Sequence, residues 1–405
     1  MASFGTLTIL PYFTAFVPDP EHVVLTRKFL EGIERYRRLW PGRVKVLLHP
    51  CPQMTGDLDH IKVKPRELSF DLEVFNFDGP GLKEKLAGSG LVMAGPDWRI
   101  PNLIELCKEL DVPCVNITEY SLQTRLQIAW VTAPRSLRFL RTALWELNQE
   151  LFTLRTISRS AGVQCNGTPT FGWYRRFSKN PLLYFDTRTE QAMFATPGEM
   201  DARARRLREG RPLTLAFSGR LIPMKGAEDL IEVAAQLKRR NFPFRFLIAG
   251  EGSSLEAMQA RVRREGLHEV HFLGALPFAT ELVPLVRREV DLFVVCHRQG
   301  DPSCTYLETL AAGVPLIGYE NEALAGLLKL ADVGFGVPLN QPERLAQRII
   351  ELSREQILER AHIGLRFARQ HAFEKTFERR VEHLVEIADQ WHSRGRPSLA
   401  TPVGA

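Results

Sequence analysis

Residues 214–226 read TLAFSGRLIPMKG, an apolar run that breaks at a glycine and ends in a short basic loop. Residues 214–218 have the composition of a buried strand. Arg220 follows Gly219, Pro223 turns the chain, and Lys225-Gly226 closes the loop. From 227 to 240 the apolar residues Leu230, Ile231, Ala234, Ala235 and Leu237 recur at helix spacing. Glu228 and Asp229 sit in the first turn, where the helix dipole favours carboxylates. The unit is strand, basic loop, helix, and it delivers one arginine and one lysine to the carboxyl edge of a sheet. Ligands bind at that edge in open α/β sheets, and two cations there suit a diphosphate. The plain alternative is a surface loop that happens to hold two basic residues.

A second stretch repeats the pattern. Residues 291–296, DLFVVC, form a near-continuous apolar run, as expected of a strand buried on both faces. Residues 297–319, HRQGDPSCTYLETLAAGVPLIGY, then give a polar loop, a helix over 303–312, Gly313 as its stop, and another strand. Asp301, Pro302 and Ser303 are an N-cap signal that leaves the amides of Ser303, Cys304 and Thr305 for an anion. Glu308 lies one turn further in, placed either to accept hydrogen bonds from a ribose diol or to face solvent.

These residues carry a resemblance. SGRLIPMKG (218–226), FRFLIAGEGSSLEAM (244–258), VHFLGALP (270–277), the 290–319 stretch and ADVGFGVPL (331–339) follow in order. Residues 213–350 thereby resemble the nucleotide-sugar domain of retaining glycosyltransferases of the GT-B fold, family 4 (group 1). The resemblance implies two Rossmann-like domains with parallel sheets facing a central cleft, and a C-terminal helix that crosses back to the first domain. It implies that Arg220 and Lys225 grip the donor diphosphate, that Glu308 holds the ribose, and that the 274–277 loop lines the base pocket. The first Glu of the family's E-x7-E motif is missing, because Gly300 stands there with Asp301 beside it. Asp301 is the candidate replacement for the donor-sugar contact, with helix capping as its other reading.

A chain of 405 residues has room for two domains of roughly 150–200 residues. The expected division is a first domain over 1–200, a linker over 201–212, a second domain over 213–372, a crossover helix over 373–393 and a disordered tail over 394–405. The linker lies in PGEMDARARRLREGR (197–211), which carries a basic helix. Net charge is +6, a modest basic excess that suits anionic ligands. Six cysteines without a C-x-x-C pair show neither a metal nor a disulfide framework, which fits a reducing cytoplasm. The start, MASFGTLTIL, lacks the charged head and long apolar core of a signal peptide. The expected location is cytoplasmic, with peripheral contact at the inner face of a membrane kept open.

In chain order, 7–10 is the first strand, and the aromatic loop PYFTAFVPDPEHV follows it. Residues 23–40 read as an amphipathic helix with Arg27, Lys28, Arg35, Arg37 and Arg38, either a solvated face or one that lies on an anionic membrane. Strands are expected over 44–48, 73–77, 91–94 and 114–118, with helices over 79–87 and 102–110, a parallel alternation. Relatives place a His after the last of these strands, near the transferred sugar. Here Glu119 and Tyr120 occupy that strand end, with a carboxylate at a helix N-terminus as the plain reading of Glu119. Residues 137–156 have helical periodicity, and GVQCNGTPTFGWYRRF (162–177) mixes glycine, aromatic and basic residues. No RNA-module motif accompanies them, so nucleic acid is not an expected partner. In the second domain, the strand 246–250 ends at Gly250-Glu251-Gly252, where backbone can approach a ligand.

The expected function is transfer of a sugar from a nucleoside diphosphate sugar to an acceptor hydroxyl with retention of configuration. Arg220, Lys225, Asp301 and Glu119 are the candidate catalytic residues. Gly250, Ser303, Cys304, Thr305 and Glu308 complete the donor site. No cofactor or metal is required, since the two cations and the helix amides answer the leaving-group charge. The acceptor is a glycan, a lipid-linked sugar or a small molecule. Two rivals stay open: a GT-B-like protein that binds without turnover, and an epimerase using groups such as His297 and Asp301. An NAD(P)-dependent oxidoreductase is disfavoured, because no G-x-G-x-x-G follows the first strand.

Overall fold

The computed structural model describes residues 4–54, 60–132 and 136–393. The expected tail over 394–405 lies outside them. The described chain folds into two α/β domains, each built on one sheet.

The first sheet contains β1 (Thr6–Leu10), β2 (Thr14–Asp19), β3 (His22–Thr26), β4 (Val44–Cys51), β5 (His60–Val63), β6 (Asp71–Val74), β7 (Ser89–Ala94), β8 (Cys114–Thr118), β9 (Gly162–Asn166) and β10 (Pro181–Tyr184). Their order is β10-β9-β8-β7-β1-β4-β2-β3-β5, with β6 also on β4. The chain leaves β1 towards β4 and returns through β7, so the order reverses between β1 and β7. The second sheet contains β11 (Leu213–Ser218), β12 (Phe244–Ala249), β13 (Val270–Gly274), β14 (Leu292–Val295), β15 (Leu316–Tyr319) and β16 (Gly334–Val337). It is parallel throughout, ordered β13-β12-β11-β14-β15-β16. Here the reversal falls between β11 and β14. Such switch points open a crevice at the carboxyl ends of the strands. The two stretches that first drew attention, 214–226 and 291–303, are the two sides of that crevice.

β14, LFVV, is buried along its whole length, and helices cover both faces of the sheet. That is why its sequence runs apolar without alternation.

Three readings change. Residues 23–40 are not one helix: His22–Thr26 is β3, and the helix spans Arg27–Leu39. β-branched residues favour the strand, and the Thr26 hydroxyl then caps the helix by accepting from the Phe29 amide at 3.3 Å. The aromatic segment after β1 is a hairpin, β2 antiparallel to β3, rather than a loop. The basic helix expected within the linker region spans Pro197–Arg208, and it packs on the second domain rather than bridging to it as a solvated segment. Arg203 is fully buried and donates to the carbonyls of Val290 (3.1 Å), Arg287 (2.8 Å) and Ala312 (3.1 Å).

The helix Phe373–Ser393 returns to the first domain and lies on the helix Arg27–Leu39. Phe373, Phe377, Val381, Leu384 and Ile387 are buried there, each worth about 1.5–3 kcal/mol on burial. Gly32 lets the Phe377 ring close to 3.0 Å of where a Cβ would stand.

Candidate functional site

The second-domain edge is built by loops that lock onto one another. After β11 the Leu221 amide donates to the Glu251 carbonyl at 2.8 Å, and the Ser254 amide donates to Leu221 at 2.9 Å. A Cβ on Gly250 would run into the Gly219 carbonyl, and the Gly250 amide donates to Gly274 at 2.7 Å. The close approach that Gly250 permits is therefore between loops, not towards a ligand. Gly226, at φ +65°, presses against the Cys296 carbonyl and fixes Lys225 beside β14.

Arg220 projects exposed from this edge. Lys225 is buried, and its Nζ lies 2.7 Å from Asp301 Oδ2. The carboxylate of Asp301 is thus spent on Lys225 and not on capping. The helix Cys304–Ala311 has Ser303 at its N-cap with no side-chain capping bond. The Ser303 amide donates to the Asp301 carbonyl at 2.8 Å, so it is not free for an anion. Cys304 and Thr305 remain: among the described residues no acceptor takes their amides, and these point outward from the positive end of the helix. Glu308, also on this helix, accepts from Arg188 Nε at 2.9 Å, and the Arg188 guanidinium stacks 3.8 Å above the Phe278 ring. An arginine from the interdomain crossing therefore holds the carboxylate expected to meet a ribose.

Gly300 has a packing reason. Its amide donates to Gln127 Oε1 at 2.9 Å, and a Cβ there would come within 2.8 Å of Glu322 and 3.0 Å of Thr124. A side chain at this position would have to displace Glu322 of the second domain and press on Thr124 of the first. His297 is buried, stacks on Tyr306 and bonds its hydroxyl at 3.2 Å. Burial, with Lys225 nearby, holds its pKa well below the usual imidazole value. Its ring is closed in between Phe217 and Tyr306, which does not favour the epimerase reading.

Across the crevice, Glu119 ends β8 and accepts from Asn166 Nδ2 at 3.1 Å. Burial and the neighbouring Asp186 raise its pKa. The side-chain oxygen of Asn166 accepts from the Asp186 amide at 3.0 Å. Asp186 pairs with Lys28, whose Nζ also reaches Cys304 Sγ at 3.0 Å. Lys28 thus ties the first domain to the start of the helix Cys304–Ala311. Tyr120, next in the chain, is exposed and lines the same side of the crevice as Glu119. A cavity of about 530 Å³ opens beside Glu119, Lys28 and Asp186 and runs back between Phe29, Ile33 and Phe373. Tyr36 lines it, and its buried hydroxyl has no partner among the described residues.

Lys28, Asn166, Asp186 and Arg188 had not been singled out for the site. Asp186 alone carried a signal, as the polar residue just after the apolar run LLYF. Lys28 reads as one of many basic residues until β3 shortens its helix.

The whole architecture has solved counterparts. Anabaena HepE in complex with UDP superposes with a TM-score of 0.62 at 15% identity, over 94% of this chain and 99% of that one. This is the GT-B fold. Residues 200–366 match the family model of glycosyl transferases group 1, which begins within the helix Pro197–Arg208 and takes in every second-domain residue named above. Alpha-D-kanosaminyltransferase of Streptomyces kanamyceticus is 28% identical over 160 residues, 38% of this chain and 41% of its own length. GDP-mannose-dependent alpha-(1-6)-phosphatidylinositol monomannoside mannosyltransferase of Mycolicibacterium smegmatis is 35% identical over 129 residues, 29% of this chain and 33% of its own. These matches span about a third to two fifths of the curated relatives. The first domain of this GT-B chain shares its fold with the solved structures but little of its sequence.

Proposed function

We propose that the protein is a glycosyltransferase that moves a sugar from a nucleoside diphosphate sugar to an acceptor hydroxyl, with retention of configuration and without a metal ion. The observation that carries this reading is the second-domain crevice, where Arg220, Lys225, the open amides of Cys304 and Thr305, and Glu308 converge beside Glu119. A diphosphate fits between the cations and the helix amides, with the ribose on Glu308 after it displaces Arg188. The bond from the anomeric carbon to the β-phosphate oxygen breaks, and the acceptor oxygen attacks from the same face. Its proton passes to the departing phosphate. Charge grows on that phosphate in the transition state, where fixed cations and dipoles act most strongly. No side chain is assigned as nucleophile.

The acceptor occupies the 530 Å³ cavity, with its reacting hydroxyl near Glu119. The apolar walls and the unpartnered Tyr36 hydroxyl favour an acceptor with an apolar body and few polar groups. The donor is a uridine or guanosine diphosphate sugar, by analogy with the UDP bound to HepE and the GDP-mannose of the mycobacterial relative. Binding without turnover is the second reading, favoured by the engagement of Lys225 and Glu308 with Asp301 and Arg188.

The test is Arg220→Ala, assayed with whichever sugar nucleotide the wild type consumes. Arg220 is exposed, so thermal stability should hold while kcat falls roughly 10²–10³-fold. Full activity in the variant would remove the diphosphate assignment, and absence of turnover with every donor in the wild type would select the second reading.

A further inference from the structure

The helix Leu137–Arg159 carries a face that the rest of the described chain leaves open. Leu137, Leu140, Leu144, Leu147 and Leu151 are 46–80% exposed, with Trp145 beside them. Their spacing of three and four residues makes one stripe about 21 Å long at 1.5 Å per residue. The opposite side of the helix is anchored. Thr153, Thr156 and Ile157 are buried, and Arg125 pairs with Glu146 at 2.7 Å and Glu150 at 2.6 Å. The outward orientation of the stripe is therefore set by the fold and not by a loose helix.

The charges that the helix itself exposes beside the stripe have one sign. Arg138, Arg141 and Arg155 are exposed, Arg159 is paired with Glu105 at 2.5 Å, and the two carboxylates of the helix are turned inward to Arg125. Trp173 donates to Glu150 at 2.7 Å and fixes the next helix alongside, whose end adds exposed Arg175 and Arg176.

We propose that this face docks on an anionic lipid bilayer, with the leucines and Trp145 in the boundary between headgroups and acyl chains and the arginines on lipid phosphates. An apolar stripe flanked by arginines, with both carboxylates of its own helix turned inward, is complementary to such a surface. A second copy of the chain is a poor occupant. Pairing two stripes would set arginine rows against each other with no carboxylate of either helix to answer them. The place in the molecule adds function to the surface. Trp145 and Glu146 line a cavity of about 370 Å³ that also reaches Glu119 and Tyr120, so docking sets the acceptor side of the crevice at the membrane. No helix among the described residues is long and apolar enough to cross a bilayer, so the contact is interfacial. It would replace the membrane contact first considered for the helix Arg27–Leu39, where Arg37 and Arg38 are engaged by Glu34 and one face is buried under the returning helix.

Co-sedimentation of the full chain with vesicles tests this without any donor sugar, so its outcome is independent of the proposed reaction. The wild type should pellet with phosphatidylcholine vesicles containing about 30% phosphatidylglycerol and far less with pure phosphatidylcholine. About 0.5 M salt should weaken the binding. Leu140→Asp with Leu144→Asp should lower partitioning at least about tenfold. Arg138→Glu with Arg141→Glu should do likewise and flatten the salt dependence. All four positions are exposed, so melting temperatures should match the wild type; Leu144→Ser, a milder change, should cost about threefold. The proposal is overturned if the wild type stays in the supernatant or if the variants pellet as it does. It is also overturned if the wild type is a dimer that Leu144→Ser dissociates, which would make the stripe a self-interface.

Discussion

Asp301→Asn separates the two jobs that the Asp301 carboxylate can have. In the ligand-free protein that carboxylate lies 2.7 Å from Lys225 Nζ, with the lysine side chain 8% and the aspartate side chain 17% exposed. Removing one partner of a buried pair costs about 3–5 kcal/mol, because the other charge is left without an answer. Asparagine keeps an oxygen that accepts from the ammonium, and some water reaches the site. The expected loss is therefore smaller, about 2 kcal/mol, the scale of one charge-assisted bond. In a domain of this size that lowers the melting temperature by about 4–8 °C. A nucleoside diphosphate brings the missing negative charge. In the wild type it must compete with Asp301 for Lys225, whereas in the variant it does not. Recovering about 1.4 kcal/mol of the lost pair corresponds to a tenfold gain in nucleotide affinity. The variant should thus be less stable empty, bind UDP or GDP more tightly in calorimetry, and show the larger thermal shift. If Asp301 also reads the donor sugar, turnover falls even as free nucleotide binds better. Unchanged stability of the empty variant, or weaker nucleotide binding, would refute the competition.

Glu308→Gln should weaken nucleotide binding by about 1–3 kcal/mol through loss of a charged acceptor. Titration with ribo- and 2′-deoxy-nucleotides checks it: the wild type should prefer the ribose form and the variant should not, and equal discrimination would place the ribose elsewhere. His371 should make the fold sensitive to mild acid. Its Nδ1 accepts from Arg379 Nη2 at 2.8 Å, and burial, then Arg379, lowers its pKa to about 4. The folded state resists protonation that the unfolded chain accepts near 6.5, so this contribution is present above that pH and is lost as pH falls towards 4. The loss is about 2–3 kcal/mol for a group this well covered. His371→Gln should flatten the melting temperature between pH 7 and pH 4.5, and an unchanged pH profile would assign the acid sensitivity to other groups.

The second domain was legible from the sequence because its strands are buried on both faces. LAFS, FLIA and LFVV read apolar without alternation, and each ends at a glycine or a polar loop. Local signals there agree with the tertiary outcome. In the first domain they compete. Residues 23–40 carry helix-spaced arginines, yet Val23, Val24 and Leu25 pair with β5, because the hairpin covers the edge of β4. No periodicity in one segment reports a partner strand some 35 residues away. The same limit hid the packing of the helix Pro197–Arg208: its many arginines suggest a solvated linker, whereas Arg203 is the largest fully buried side chain among the described residues.

For the site, the sequence names the residue types that a ligand needs but not what they do without it. Arg220, Lys225 and Glu308 stand out as candidates because they lie on strand–loop–helix units of readable spacing. Their internal partners were not, since Asp301 lies 76 positions from Lys225 and Arg188 lies 120 from Glu308. Both pairs have a physical logic. A buried ammonium and a nearly buried carboxylate are costly when unanswered, so a crevice shaped for a charged ligand must satisfy them in its absence. Asp301 and Arg188 supply that answer from segments that connect regular elements. Gly300 follows from the same geometry. The loop that carries Asp301 is held to Gln127 of the first domain, and a larger residue at 300 would run into the side chains of Glu322 and Thr124. The carboxylate of this loop therefore comes from position 301 and is aimed at Lys225 instead of from position 300. On the proposed reading, donor entry begins with an exchange of partners at Lys225, and the strength of that pair sets how tightly a free nucleoside diphosphate binds.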